Sequence, residues 1–234
     1  MRNRGAVDHE VDSVRARYLT AVLAGRQHQA FDVLEAALAA GIPLYTVYVG
    51  VVQAALYTIG ERWERAEVTI AEEHLATAVV QSNLAILAGR LRELNPVPAE
   101  PVHRRVVVTV SPGEQHAVGA RILADCLDAA GWRVEYLPPP VAEAFLLDHL
   151  TATRPDVVAL STALPVHLPR LGLTVKAIRS LPYPPVVALG GSVLAHRPRL
   201  AAGFGADVTA VDAAVAVDVL RTAVRDRPRV PRPC

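Results

Sequence analysis

Val106-Val107-Val108-Thr109-Val110-Ser111-Pro112-Gly113-Glu114-Gln115-His116-Ala117-Val118-Gly119 reads as a strand, a polar loop and the first turn of a helix. The run from Val106 to Val110 is apolar and β-branched without polar alternation, the pattern of a strand covered on both faces. Beyond the loop, Ile122, Leu123, Cys126, Leu127 and Ala130 recur at helical spacing, with Arg121, Asp125 and Asp128 on the opposite side. A polar loop at the C-terminal end of a buried parallel strand is where open α/β sheets bind ligands. This one offers an imidazole, a carboxylate and two glycines.

Downstream, the same alternation repeats. Strands are expected at Arg105–Val110, Arg133–Leu137, Asp156–Leu160, Pro185–Leu189 and a short one at Asp207–Val211. The helices between and after them are expected at His116–Ala130, Val141–Thr153, Leu168–Ser180, Leu194–Gly203 and Ala213–Arg225. Five βα units imply a parallel sheet with helices on both faces, and a flavodoxin-like strand order is the preferred topology. Upstream, residues 9 to 95 read as four helices with short breaks, an antiparallel bundle. Their stripes run Val11-Val14-Tyr18-Val22, then Phe31-Leu34-Ala37-Leu38 ending at Gly41, then Val49-Val52-Leu56-Ile59 to Trp63, then Thr69 to about Leu94. The fold class is therefore α/β: an N-terminal four-helix bundle, then a flavodoxin- or Rossmann-like five-stranded parallel sheet. Residues 96–103, with three prolines from Asn95 to His103, read as a stiff linker. Residues 104–225 form the α/β domain, and the Arg/Pro-rich residues 226–234 read as a disordered tail.

The bulk composition narrows the function. Over 234 residues, 52% are hydrophobic and 20% charged, with a net charge of +1, so the chain is globular rather than disordered. No basic block or helix-turn-helix pattern precedes the tail, so no direct nucleic-acid binding is expected. Charges interrupt every apolar run before membrane-spanning length, and no membrane association is expected. Cys126 and Cys234 make no disulfide framework. That fits a cytoplasmic location.

The loops at the strand ends carry the chemistry: Glu114-Gln115-His116 after the first strand, Ser161-Thr162-Ala163-Leu164-Pro165 after the third, Gly190-Gly191-Ser192 after the fourth. Each has a bland explanation: a surface histidine, a helix cap, a tight turn. Their placement at one edge of one sheet favours a ligand site. Neither a dinucleotide fingerprint nor a phosphate loop is present, and no pair of cysteines or histidines is spaced for zinc. One neutral histidine with a carboxylate in the same loop suits a single axial metal bond. In the bundle, His74, Ala78, Gln81 and Ala85 put small and polar residues on one face of the fourth helix, leaving volume for something to lie against.

These motifs resemble the cobalamin-binding domains, whose hallmark is D-x-H-x-x-G, then S-x-L, then G-G at successive strand ends. Here the series reads Glu114-Gln115-His116-Ala117-Val118-Gly119, then Ser161-Thr162-Ala163, then Gly190-Gly191. Glu114 stands for the usual Asp and Ala163 for Leu. The four helices look like the cap module that precedes such domains in methionine synthase and in the cobalamin photoreceptors. The resemblance covers roughly Val11 to Val224. It implies that His116 is the lower axial ligand of cobalt, that Glu114 is its partner, and that the nucleotide base enters a slot beside Ser161 and Gly190-Gly191. The cofactor-binding set then comprises Glu114, Gln115, His116, Val118, Gly119, Ser161, Thr162, Leu164, Gly190 and Gly191.

Trp63 through Glu73-His74 is similar to the W-x9-E-H pattern of the light-sensing branch, the CarH-like regulators. In that branch these residues frame a 5′-deoxyadenosyl group until light breaks the cobalt–carbon bond. The resemblance implies adenosylcobalamin as cofactor and Trp63, Glu73 and His74 as its upper pocket. The best-known members carry a MerR-type DNA-binding domain ahead of the bundle, where this sequence has roughly ten residues. Some also place a histidine directly after the tryptophan, where this one has Glu64. The expectation is a light sensor rather than an enzyme, with no catalytic residue, acting through another copy of itself or a separate transcription regulator. A corrinoid methyl carrier of a methyltransferase system is the rival, and a cobalamin store or chaperone a third reading.

Overall fold

A computed structural model describes residues 4–94, 102–195 and 197–228. The chain divides into two compact units, residues 1–94 and 95–234. The expected linker lies largely in residues 95–101, and the last part of the expected tail in residues 229–234; both stretches are outside the described residues.

The first unit is helical. It comprises α1 (Arg4–Leu23), α2 (Gln27–Ala39), α3 (44–64) and α4 (Ile70–Leu94). Helix α1 packs on each of the other three. Val14, Tyr18, Ala21 and Val22 from α1, Leu34 from α2, Val51, Val52 and Ile59 from α3, and Val80, Leu84 and Leu87 from α4 are buried. Gly25 and Gly41 end the first two helices with φ of 67° and 85°, the left-handed conformation that lets a helix stop. Helix α4 starts through a capping box. Glu72 Oε2 accepts from Thr69 N at 2.8 Å while Thr69 Oγ1 accepts from Glu72 N at 3.2 Å.

The sequence led us to expect an uninterrupted α3. Instead residues Val47–Gln53 form a π-helical segment between two α-helical ones. The run Val47-Tyr48-Val49-Gly50-Val51-Val52 is β-branched around a glycine, which weakens its α preference. Gly50 lets α1 approach, since a Cβ there would lie 3.2 Å from Val11 Cγ1. The wider turn resets the phase of the helix beyond it.

In the second unit the strands β1 (Arg105–Val110), β2 (Arg133–Tyr136), β3 (Val157–Ser161), β4 (Val186–Gly190) and β5 (Val208–Thr209) form one sheet of order β2-β1-β3-β4-β5. All pairs are parallel. That is the flavodoxin-like order, with its topological switch between β1 and β3. Helices α5 (Val118–Ala129) and α9 (Ala213–Arg225) pack together, as do α6 (Glu143–Thr153) and α7 (Leu168–Arg179). Leu146 and Leu150 of α6 and Leu171, Val175 and Ile178 of α7 share one core with Val107, Val158, Leu160, Val187 and Leu189. Helix α8 (Pro198–Gly203) is shorter than the expected Leu194–Gly203. Pro198 occupies its first turn, where a missing N–H costs nothing, and so fixes the start.

At the N-terminal edge of the sheet a buried ion pair ties three elements. Arg104 is 9% exposed. It donates to Asp156 Oδ1 at 2.7 Å and to the carbonyls of Val224 and Arg227 at 2.8 and 2.7 Å. Asp156 Oδ2 accepts the Arg105 N–H at 2.8 Å. Removing one partner strands the other charge. Asp156→Ala should therefore cost about 3–5 kcal/mol in urea denaturation, where an exposed pair would cost almost nothing.

Candidate functional site

Glu114 organises the opposite edge. The β1 strand ends at Val110, and Gly113 turns the chain with φ of 92°. This folds Glu114 inward until it is 1% exposed. Its Oε1 accepts from Gln115 N at 2.9 Å, His116 N at 3.0 Å and His116 Nδ1 at 2.5 Å. Its Oε2 crosses the switch point to accept from Ala163 N at 2.9 Å and Leu164 N at 3.2 Å, beyond β3. Burial by itself would raise this carboxyl. The hydrogen bonds from the His116 ring, the His116 backbone and the Ala163 and Leu164 amides outweigh it and hold the carboxyl down to about 2. A carboxylate charged at neutral pH places the imidazole proton on Nδ1 and leaves Nε2 as the nitrogen that can bond a metal. The His116 side chain is 52% exposed, so the ring stands at the surface of the edge.

The strand register sorts the remaining loop residues by face. Val110 pairs with Ser161, and Ser161 with Gly190. Side chains alternate along a strand, and Leu160 and Leu189 face α6 and α7. Ser161 and Gly190 therefore face α5 and α9. On that face a Cβ at Gly119 of α5 would come no closer than 4.0 Å to Ser161 Oγ, and one at Gly190 no closer than 4.0 Å to the Ala210 carbonyl. The fold leaves methyl-sized room at both glycines. Thr162 lies on the other face, fully buried, with Oγ1 unpartnered among the described residues. Gly191 serves the backbone: its φ is 95°, and a Cβ would sit 2.2 Å from the Thr162 carbonyl oxygen. Val118 is 9% exposed in the first turn of α5, while Gln115 is exposed. Leu164 meets the site through its amide.

Two further contributors had no role in the sequence reading, although Ser192 stood in the quoted loop Gly190-Gly191-Ser192. His167, in the 3-10 turn Pro165–His167, brings Nε2 to 3.9 Å from Glu114 Oε1 and lies over Gly113. Ser192 Oγ donates to the Ala163 carbonyl at 3.0 Å and joins the β3 and β4 loops. The only signal in the sequence was that both follow the strand-end motifs closely.

In the helical unit, Trp63 is 43% exposed in the last turn of α3. Glu73 sits in the first turn of α4, half-buried, and its Oε1 accepts from Thr77 Oγ1 at 2.8 Å. His74 is 72% exposed, with Nδ1 2.9 Å from the Ile70 carbonyl. Ala78, Gln81 and Ala85 are exposed.

The residues at the sheet edge fit a group that takes one imidazole bond and passes close to the backbone. They supply an oriented Nε2, a buried carboxylate behind it, and two glycines whose missing side chains the fold does not need. A closed metal cage is not what they build: among the described residues no three His, Cys, Asp or Glu side chains converge on one point. No described helix is long and apolar enough to cross a membrane.

Comparison with known proteins gives the family and the fold. Two family models described as B12 binding domain match, one over residues 14–88 and one over residues 104–221. Among curated proteins, the HTH-type transcriptional repressor CarH of Myxococcus xanthus is 35% identical over 150 residues, 63% of this chain and 47% of the relative. The match thus spans about half the length of that relative. Among solved structures, the monomethylamine corrinoid protein of Methanosarcina barkeri superposes with a TM-score of 0.77 at 18% identity, covering 91% of this chain and 99% of that one. The methanol:cobalamin methyltransferase complex of Methanosarcina barkeri gives 0.50 at 15% identity, covering 95% and 85%.

Three variants test this edge. Glu114 is stabilising when charged, fully so above its ordinary value of 4.5, and that contribution is lost as pH falls toward and through about 2. Urea midpoints measured from pH 5 to pH 2 should therefore fall more steeply for the parent than for Glu114→Gln. Gly191→Ala should lose about 3 kcal/mol to backbone collision. Gly190→Ala should stay within about 0.5 kcal/mol of the parent yet weaken cobalamin binding in an absorbance titration.

Proposed function

The chain belongs to the B12-binding family, and from that premise we propose that it is an adenosylcobalamin-dependent light sensor that regulates transcription through a partner protein. The observation carrying the cobalamin assignment is the Glu114–His116 pair, with Nδ1 fixed by the carboxylate at 2.5 Å. In this reading His116 holds cobalt through Nε2, and Ser161, Gly119 and Gly190 receive the nucleotide tail. Glu114 keeps the imidazole basic and holds the β1 and β3 loops at a fixed separation. Trp63, Glu73 and His74 receive the adenosyl group. The bound cofactor supplies a cobalt–carbon bond that visible light can break. The protein then acts as a two-state element whose surface differs with and without the upper group. The partner is another copy of the chain or a separate transcription regulator.

The light-sensing role is supported by the spacing from Trp63 to Glu73-His74 and by the likeness to a transcriptional repressor at 35% identity. A second reading, a corrinoid methyl carrier, is favoured by the superposition on the monomethylamine corrinoid protein over 91% of the chain. That likeness is of fold, and the carrier reading leaves Trp63 and Glu73-His74 without a role.

One experiment separates them. The protein is loaded with adenosylcobalamin in darkness, and its absorption spectrum and elution volume are recorded before and after green light. A sensor shows a permanent spectral change with a shift in assembly. A carrier prefers methylcobalamin and elutes identically after illumination. His116→Ala should return the bound cofactor to a spectrum without imidazole coordination; an unchanged spectrum would remove the axial assignment.

A further inference from the structure

Two amides interrupt the otherwise apolar interior of the helical unit. Asn83 of α4 is fully buried, and Gln53 of α3 is 9% exposed. Tyrosines aside, they are the buried polar side chains among the described residues of that unit. Each turns its NH2 group to a tyrosine. Asn83 Nδ2 reaches the Tyr18 hydroxyl of α1 at 3.5 Å, the long limit for such a bond. Gln53 Nε2 donates to the Tyr57 hydroxyl at 2.9 Å. In both, the amide oxygen is buried and has no partner among the described residues.

Asn83 is the more costly of the two, because its partner is buried with it. Tyr18 is fully buried, and burial pushes its hydroxyl up to about 12, so it stays protonated. The phenol has one hydrogen to give. Turning the amide over would hand that hydrogen to Oδ1 and leave the NH2 group open instead, so one end is unsatisfied in either orientation. A buried polar pair that lacks a partner weakens the packing around it, where an apolar group of the same shape would strengthen it. The other inward residues of α4, Ala76, Val79, Val80, Leu84 and Leu87, are all apolar. When α4 lifts from α1, water satisfies both the amide and the phenol, which offsets part of the cost of exposing those residues.

We propose that Asn83 sets a low-cost opening of α4 away from α1, a local event that leaves the rest of the chain folded. Helix α4 carries Glu73, His74 and the exposed small residues Ala78 and Ala85. A helix whose inner face is weakly held is one that a group bound on its outer face can fix or release. That use in signalling rests on the sensor reading above; the opening itself does not.

The test is hydrogen exchange read by mass spectrometry on the full chain without cofactor. Corrected for intrinsic rates, the inner turns of α4 around Asn83 should exchange about tenfold faster than α1 and α2. Asn83→Leu should slow α4 exchange about tenfold and leave β1 and β3 unchanged. Tyr18→Phe keeps the ring and removes the amide's partner. It should speed α4 exchange about threefold, and it decides the matter if the leucine variant fails to fold. An α4 as protected as α1 in the parent, unchanged α4 exchange in a folded Asn83→Leu, or unchanged exchange in Tyr18→Phe overturns the proposal. Loading with adenosylcobalamin in darkness should protect α4, and green light should remove that protection. No response to light, in a parent that opens without cofactor, removes the sensor reading and leaves the opening standing.

Discussion

A single buried carboxylate holds the functional edge of this protein together. Glu114 accepts hydrogen bonds on one oxygen from its own loop and from the His116 ring, and on the other from two amides across the sheet. The two loops it joins follow β1 and β3, the strands between which the chain reverses its order of addition to the sheet. Neighbouring connections diverge at such a switch point, and Glu114 ties the two loops across it. Because the tie is also the partner of His116, the orientation of the imidazole and the separation of the loops cannot vary independently. The longer arm of Glu compared with Asp is used to reach Ala163 and Leu164.

The other strand-end residues divide into those that serve the fold and those that leave it room. Gly191 has a backbone reason to be glycine, since its Cβ would strike the Thr162 carbonyl. Gly190 and Gly119 have no such reason, and both lie on the face shared by Ser161. At the far edge of the sheet Arg104 and Asp156 hold the strand starts and the end of α9 with a buried ion pair. The sheet is thus fastened electrostatically at both ends, structurally at one and next to the candidate axial ligand at the other.

The helical unit combines an apolar interior with an exposed face of small residues. Its interior is apolar, but α4 exposes Ala78, Gln81 and Ala85, and α3 exposes Tyr57 and Trp63 on either side of Gly60.

Local pattern was sufficient for the strands, because Val106–Val110 and Val186–Leu189 are short apolar runs bounded by turn residues and alternate with helical stretches. The contact between Glu114 and His116 was also legible, since they lie two residues apart in one loop. Pro198 overrode the apolar run that would have begun α8 earlier, and a π turn replaced regular helix where α1 presses on Gly50. Both depend on backbone geometry that hydrophobic periodicity does not encode. Only the tertiary structure placed Ser161 and Gly190 on one face and Thr162 on the other, and brought His167 to Glu114. Those facts arise from register and from contacts between residues distant in the chain, and a one-residue shift in register would have reversed the face assignments.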